Sequence, residues 1–270
     1  MSVITFDNTG EKKFEAGVDH CVLYPQTNGA YPKGVAWNGI TGITESPEGG
    51  DAQDFYADNI KYGSLRGAEN FNGTIECYTY PDEWKGCDGR ADLADGVTFG
   101  QQSRKIFGLS YRTLIGSDAM ELGAGYILHL IYGCTASPSS KSRSTVNESP
   151  EAGTMSYEFK TTPVNVSKIA NAKATSHIEI DSTKVSAAAL TAIEAALYGT
   201  DGTVSYSAVT PVGTENPVTE GWYEKNGDVY TLSTDTAVDS QKTYYKKTET
   251  GGTDGYLPSP DDLYDLINNL

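Results

Sequence analysis

Three histidines, four cysteines and 36 acidic residues are the groups in this 270-residue chain best placed to do chemistry. His20, His129 and His177 show no H-x-H, H-x-x-x-H or H-E-x-x-H spacing, the patterns that bring two imidazoles onto one metal ion, so no metal site is expected. Cys21, Cys77, Cys87 and Cys134 contain no C-x-x-C pair, which argues for reduced, buried thiols over zinc ligands or a redox dithiol. His20 beside Cys21 invites a thiol–imidazole pair, but adjacent strand residues point to opposite faces. His129 lies in the apolar run Ile127-Leu-His-Leu-Ile-Tyr132 and reads as a hydrogen-bonded core residue rather than a catalyst. No serine sits in a G-x-S-x-G elbow, and Gly123-Ala-Gly125 lacks the third glycine of a dinucleotide loop. The acidic run from Glu45 to Asp54 lacks the alternating order and closing Glu of a calcium loop. Paired carboxylates for glycoside hydrolysis depend on a separation in space that spacing along the chain does not give. Neither catalysis nor a bound cofactor is expected.

The elements that must position these groups are mostly strands. Twenty-nine Gly and 18 Tyr, with abundant Thr, Ser and Val, favour strands and turns over helices. Phe71, Ile75 and Cys77 alternate with polar residues, as do Met155, Tyr157 and Phe159, the pattern of half-buried antiparallel strands. Val35, Trp37, Thr41 and Ile43 share a face, with Ile40 out of phase. Ile127 to Tyr132 is apolar on both faces and reads as a central strand, with further strands over 104–115 and 173–180. The expected fold is mainly β, an antiparallel sandwich or barrel. A formal charge of −16 disfavours attachment to phosphate. No apolar run approaches the roughly 20 residues of a spanning helix, and residues 1–15 lack a secretory signal, so a cytoplasmic origin without membrane insertion is expected.

Two helices stand out. Ser186 to Tyr198 carries Leu190, Ile193 and Leu197 on one side and stops at Gly199. Ser259 caps a C-terminal helix with Pro260 in its first turn and Leu263, Leu266, Ile267 and Leu270 as its apolar stripe. Between Thr203 and Gly252 long apolar residues nearly vanish, and Asn226-Gly227 between aromatic runs signals a hairpin. Residues 203–252 therefore read as a small inserted β module, three strands in size, within a domain made of 1–202 and 253–270.

The segments Gly10-Glu-Lys-Lys-Phe-Glu-Ala-Gly-Val-Asp19, Tyr31-Pro-Lys-Gly-Val-Ala-Trp-Asn-Gly39, Thr44-Glu-Ser-Pro47, Tyr56-Ala-Asp-Asn-Ile-Lys-Tyr62 and Thr74-Ile-Glu-Cys-Tyr-Thr-Tyr-Pro-Asp-Glu83 continue into Gly100-Gln-Gln-Ser-Arg-Lys105, Leu128-His-Leu-Ile-Tyr-Gly133 and Ile180-Asp-Ser-Thr-Lys-Val185. In that order they closely resemble the major tail tube proteins of long-tailed, siphovirus-like phages and prophages of Gram-positive bacteria. The resemblance covers Gly10 to about Gly202, and Leu257-Pro-Ser-Pro-Asp-Asp262 resembles the family's ending. It implies a structural virion protein with no enzymatic role: a β-sandwich with a flanking helix, six copies of which close into a ring, with rings stacking into a tube through which DNA passes without specific binding. The implied partners are copies of the chain itself and other tail proteins: tape measure, tail terminator and distal tail protein. The implied location is the phage tail. The insertion departs from the family and looks like an accessory module of phage proteins, exposed on the tube exterior.

Under this reading the turn region Glu45 to Asp58, with Glu48, Gly49, Gly50, Asp51 and Asp54, is the candidate contact to a neighbouring subunit or ring, since glycine-rich acidic loops can order on assembly; a plain hairpin loop is the other reading. Trp222, Tyr223, Tyr230, Tyr244 and Tyr245 of the module either bind a cell-surface carbohydrate or receptor or form the module's own small core.

Overall fold

The computed structural model describes residues 6, 8–49, 51–65, 67, 69–141, 143, 145, 152–211 and 215–269. The chain divides into two compact units, Met1–Tyr198 with Asp254–Leu270, and Gly199–Thr253. The first contains strands β1 (Lys13–Pro25), β2 (Val35–Ala36), β3 (Ile40–Glu48), β4 (Gln53–Ala57), β5 (Ile60–Leu65) and β6 (Asn70–Cys77), the single-turn helix α1 (Trp84–Cys87), and β7 (Ala91–Ala94) and β8 (Val97–Phe99). Long strands β9 (Phe107–Ser117) and β10 (Glu121–Ala136), then β11 (Met155–Thr161), β12 (His177–Asp181) and helix α2 (Ala187–Tyr198) complete it. The second unit holds β13 (Gly199–Thr200), β14 (Thr203–Val209), α3 (Pro217–Glu220), β15 (Tyr223–Asn226), β16 (Val229–Leu232), β17 (Tyr244–Thr250) and the start of β18 (Thr253–Asp254); α4 (Pro260–Asn268) returns to the first.

Eight strands form one antiparallel sheet in the order β2-β1-β9-β10-β11-β6-β3, with β12 also paired to β10. The fold is thus mainly β and antiparallel, as composition and alternation lead one to expect. β12 and β11 share one edge of β10 in succession: Ile127 to Ile131 pair with β12, and Cys134 to Ala136 with β11. The switch falls at Gly133, whose φ of 63° and whose missing Cβ, which would lie 2.1 Å from the Thr162 carbonyl oxygen, admit only glycine.

Both faces of the β1-β9-β10 ribbon are buried, which is why Ile127 to Tyr132 is apolar apart from His129. On one face Leu23, Leu109 and Ile131 meet Ile75, Tyr157 and Phe159 of β6 and β11, with Trp37 and Trp84. On the other, Tyr24, Leu128, Leu130 and Tyr132 meet Ile193 and Leu197 of α2 and Leu263 of α4. The sheet curls over the first core until β3 lies beside β1. α2 ends where Gly199 takes φ 79°, and α4 begins in a capping box between Ser259 and Asp262. Ile40 joins the first core although it falls out of phase, because a bulge between Ile40 and Gly42 resets the alternation. Thr41, expected to face the core with Ile43, is the extra residue and is exposed. All four cysteines are buried and unbridged. Among the described residues no helix is long and apolar enough to cross a membrane.

The second unit is a four-stranded sheet, β14-β17-β15-β16, one strand more than the three expected. It runs from Gly199 to Thr253 rather than 203 to 252 because Thr200 and Thr253 already pair, their hydroxyls 2.9 Å apart, a contact invisible to composition. The β15–β16 turn centres on Gly227-Asp228, one residue later than the Asn-Gly signal, with Gly227 at φ 61°.

Candidate functional site

The stretch expected to be a turn region is mostly strand. Glu45 and Glu48 belong to β3, opposite Gly73 and Asn70 of β6, and Asp54 belongs to β4. β4 and β5 form a two-stranded hairpin hydrogen-bonded to no other named strand. Asp58 and Asn59 occupy its two-residue turn at φ 51° and 63°, the double positive-φ geometry that twists with the strands and suits Asp and Asn. Asp54 pairs with Lys61 across the hairpin at 2.7 Å. Gly49 and Asp51 are exposed, and Gly50 lies outside the described residues.

What the acidic pattern of this stretch concealed is its apolar surface. Phe55, Tyr56, Ile60, Tyr62 and Leu65 are all exposed, Tyr62 at 71 %. Phe55 lies over Gly63, and its ring stands 6.1 Å from that of Tyr62. A second free hairpin, β7–β8, turns at Asp95-Gly96 and exposes Leu93, Val97 and Phe99. The signal for it was in the sequence: Asp-Gly between apolar residues is a hairpin dipeptide. Two-stranded hairpins are marginal in water, and large apolar side chains left on them mark contact surfaces. Among the described residues β3 pairs with β6 alone, so its other edge, which lies beside β1 without bonding to it, keeps unpaired backbone groups.

Glu45 does not serve as an outward loop residue. Its half-buried side chain turns into a polar cluster where the curled sheet brings β3 to β9, β10 and β12. Glu45 Oε1 lies 3.4 Å from His129 Nδ1 and 3.7 Å from His177 Nε2, and accepts a hydrogen bond from the Tyr111 hydroxyl. His129 Nδ1 and His177 Nε2 are 3.2 Å apart, and His129 stacks on Tyr111 with ring centres 4.7 Å apart. The hydrogen bond to His129, with that from Tyr111 and the charge of His177, holds the Glu45 carboxyl down at about 2. Burial pushes His177 below its usual range and Tyr111 above its own. His129 is, as its apolar strand implies, a buried hydrogen-bonded residue. That it meets His177 follows from β10–β12 pairing, which local spacing does not encode.

In the second unit the five aromatics separate. Trp222 and Tyr244 are buried with ring centres 5.7 Å apart, and the Tyr244 hydroxyl donates to Asp235 at 2.6 Å, so these two are core. Tyr223, Tyr230 and Tyr245 are half-buried: Tyr206 stacks on Tyr230 at 3.9 Å and meets Tyr223 edge-on, and Tyr245 packs on Tyr230, a cluster that strand pairing and not local spacing assembles.

No family model matches the chain, and no curated protein matches it.

Proposed function

We propose that this chain is a structural subunit that polymerises with copies of itself, six to a ring and ring upon ring, into the hollow tube of a phage tail that conducts DNA. The observation that carries the reading is the β4–β5 hairpin, which stands outside the main sheet with five large apolar side chains in solvent. A hairpin of this kind needs a neighbour to cover it, and a copy of the same chain is the neighbour the ordered motifs of the sequence imply. The open edge of β3 supports the same reading, since an added strand would complete it. So does the net charge of −16, which gives passing DNA no attractive wall. In this role the chain works with tape measure, terminator and distal tail proteins in the virion and carries out no catalysis. Sedimentation of the purified chain over a concentration series, followed by negative-stain microscopy, is expected to yield rings and hollow filaments. A monomer at every concentration, with no filaments, would refute the proposal.

A second reading attaches to the inserted unit: its half-exposed Tyr206, Tyr223, Tyr230 and Tyr245 offer a stacking surface for a cell-surface carbohydrate or receptor. Deleting residues 203–252 is expected to leave tube formation and the melting of the first unit unchanged, because Gly202 already lies against Gly252 and the cut can close there. Loss of adsorption to cells by phage carrying the deletion would support the receptor role, and unchanged adsorption would remove it.

A further inference from the structure

Three ligand-type atoms converge from three strands: Glu45 Oε1 from β3, His129 Nδ1 from β10 and His177 Nε2 from β12. Their separations of 3.2, 3.4 and 3.7 Å define a triangle whose corners lie about 2.0 Å from a common point, the distance zinc takes to imidazole nitrogen and carboxylate oxygen. The atoms around them suit the same purpose. His129 Nε2 lies 2.9 Å from Thr113 Oγ1 and 3.5 Å from a Glu15 carboxylate oxygen. When an ion binds, the Nδ1 proton that serves Glu45 is released, and an N–H kept on Nε2, accepted by Thr113 Oγ1 with the Glu15 carboxylate beyond, leaves the lone pair on Nδ1 facing the other two ligands. The Tyr111 hydroxyl donates to Glu45 Oε1, the same oxygen that faces the two imidazoles, and so holds the carboxylate in place, while Phe71 packs on the His177 ring at 4.7 Å. His129 is almost wholly buried, whereas Glu45 and His177 keep some exposure and give an ion a way in.

We propose that Glu45, His129 and His177 bind a divalent transition-metal ion of the zinc class, with water completing its coordination. Two imidazoles and one carboxylate are borderline donors suited to zinc and its neighbours, not to calcium or magnesium, which take oxygen ligands. Bound there, the ion staples β3, the strand that leads into the β4–β5 hairpin, onto β10 and β12. The site stands on side-chain geometry alone and is independent of the tube reading.

The chain, stripped with chelator and dialysed, is titrated with Zn²⁺ in a calorimeter and with Co²⁺ in a spectrophotometer, beside His177→Ala and Glu45→Gln. The expected result is one ion per chain, Co²⁺ d–d bands of nitrogen–oxygen coordination, and a melting temperature about 5–10 °C higher once the ion exceeds Kd about 100-fold. Both variants should bind at least about 100-fold more weakly, since even outer partners of a ligand cost up to that much. Near-UV circular dichroism reports whether each variant has kept its fold, and either one suffices. No stoichiometric binding by the wild type, unchanged binding in a folded variant, or a Co²⁺ spectrum dominated by thiolate charge transfer would each overturn the site.

Discussion

Replacing Trp84 with alanine should cost the first unit about 3–5 kcal/mol, the range for removing a large aromatic from a packed core. Trp84 has no exposed surface, and its ring lies 4.7 Å from Trp37, 5.0 Å from Phe107 and 5.1 Å from Tyr157, centre to centre. Those partners come from three different parts of the sheet and its connections, so one side chain joins the β2–β3 connection, β9 and β11. Helix α1 is a single turn that exists to deliver it: too short to be stable alone, it is held because Trp84 and Cys87 are buried beneath it. The neighbouring Trp37 is locked by its own hydrogen bond to the Thr79 carbonyl at 2.8 Å, so the hole cannot collapse by a simple swing of that ring. For a unit of this size the melting temperature should fall by roughly 6–20 °C. Urea unfolding followed by far-UV circular dichroism checks it, with Leu93→Ala as a surface control expected to stay within about 0.5 kcal/mol. A loss below about 1 kcal/mol for Trp84→Ala would mean that the aromatic cluster does not organise the core.

The parts of the fold that were legible in the sequence are those governed by local period. Met155, Tyr157 and Phe159 announce a half-buried strand by alternation alone, and Ile127 to Tyr132 announces a central one because both of its faces are covered. The helix caps are equally local: Ser259 with Asp262 at one, Gly199 at the other. Illegible features depend on what lies across the sheet. The bulge that exposes Thr41 is set by the register between β3 and β6, so a period-2 reading that places Ile43 on the core face puts Thr41 there too and turns Ile40 away, the reverse of what these two do. Acidic residues between Glu45 and Asp58 suggest a solvated turn, and only the pairing of β4 with β5 shows that Phe55, Tyr56, Ile60 and Tyr62 stand out from the surface. The polar cluster is harder still. Glu45, His129 and His177 meet because the sheet curls and because β12 adds beside β10, and neither event leaves a motif in the chain.

If the chain assembles as proposed, the hairpin variant Tyr56→Ser/Ile60→Ser/Tyr62→Ser should abolish self-assembly at concentrations where the unchanged chain forms filaments, while the monomer stays folded. All three side chains are more than 60 % exposed, so each change should alter monomer stability by no more than about 0.5 kcal/mol. Covered by a neighbouring copy, each would bury enough apolar surface to contribute about 1–2 kcal/mol. Three together remove about 3–6 kcal/mol from every contact, which raises the concentration needed for assembly by about two to four orders of magnitude. The backbone of the hairpin is untouched: Asp58 and Asn59 keep the turn, Asp54 and Lys61 keep their ion pair, and Phe55 keeps its seat on Gly63. Loss of filaments would therefore report on the missing apolar surface and not on a misplaced loop. Sedimentation velocity and negative-stain microscopy at matched concentrations make the comparison. If the triple variant assembles as readily as the wild type, this hairpin is not the joint between copies, and the proposed contact moves to the unpaired edge of β3 or to the β7–β8 hairpin, where Leu93, Val97 and Phe99 are exposed.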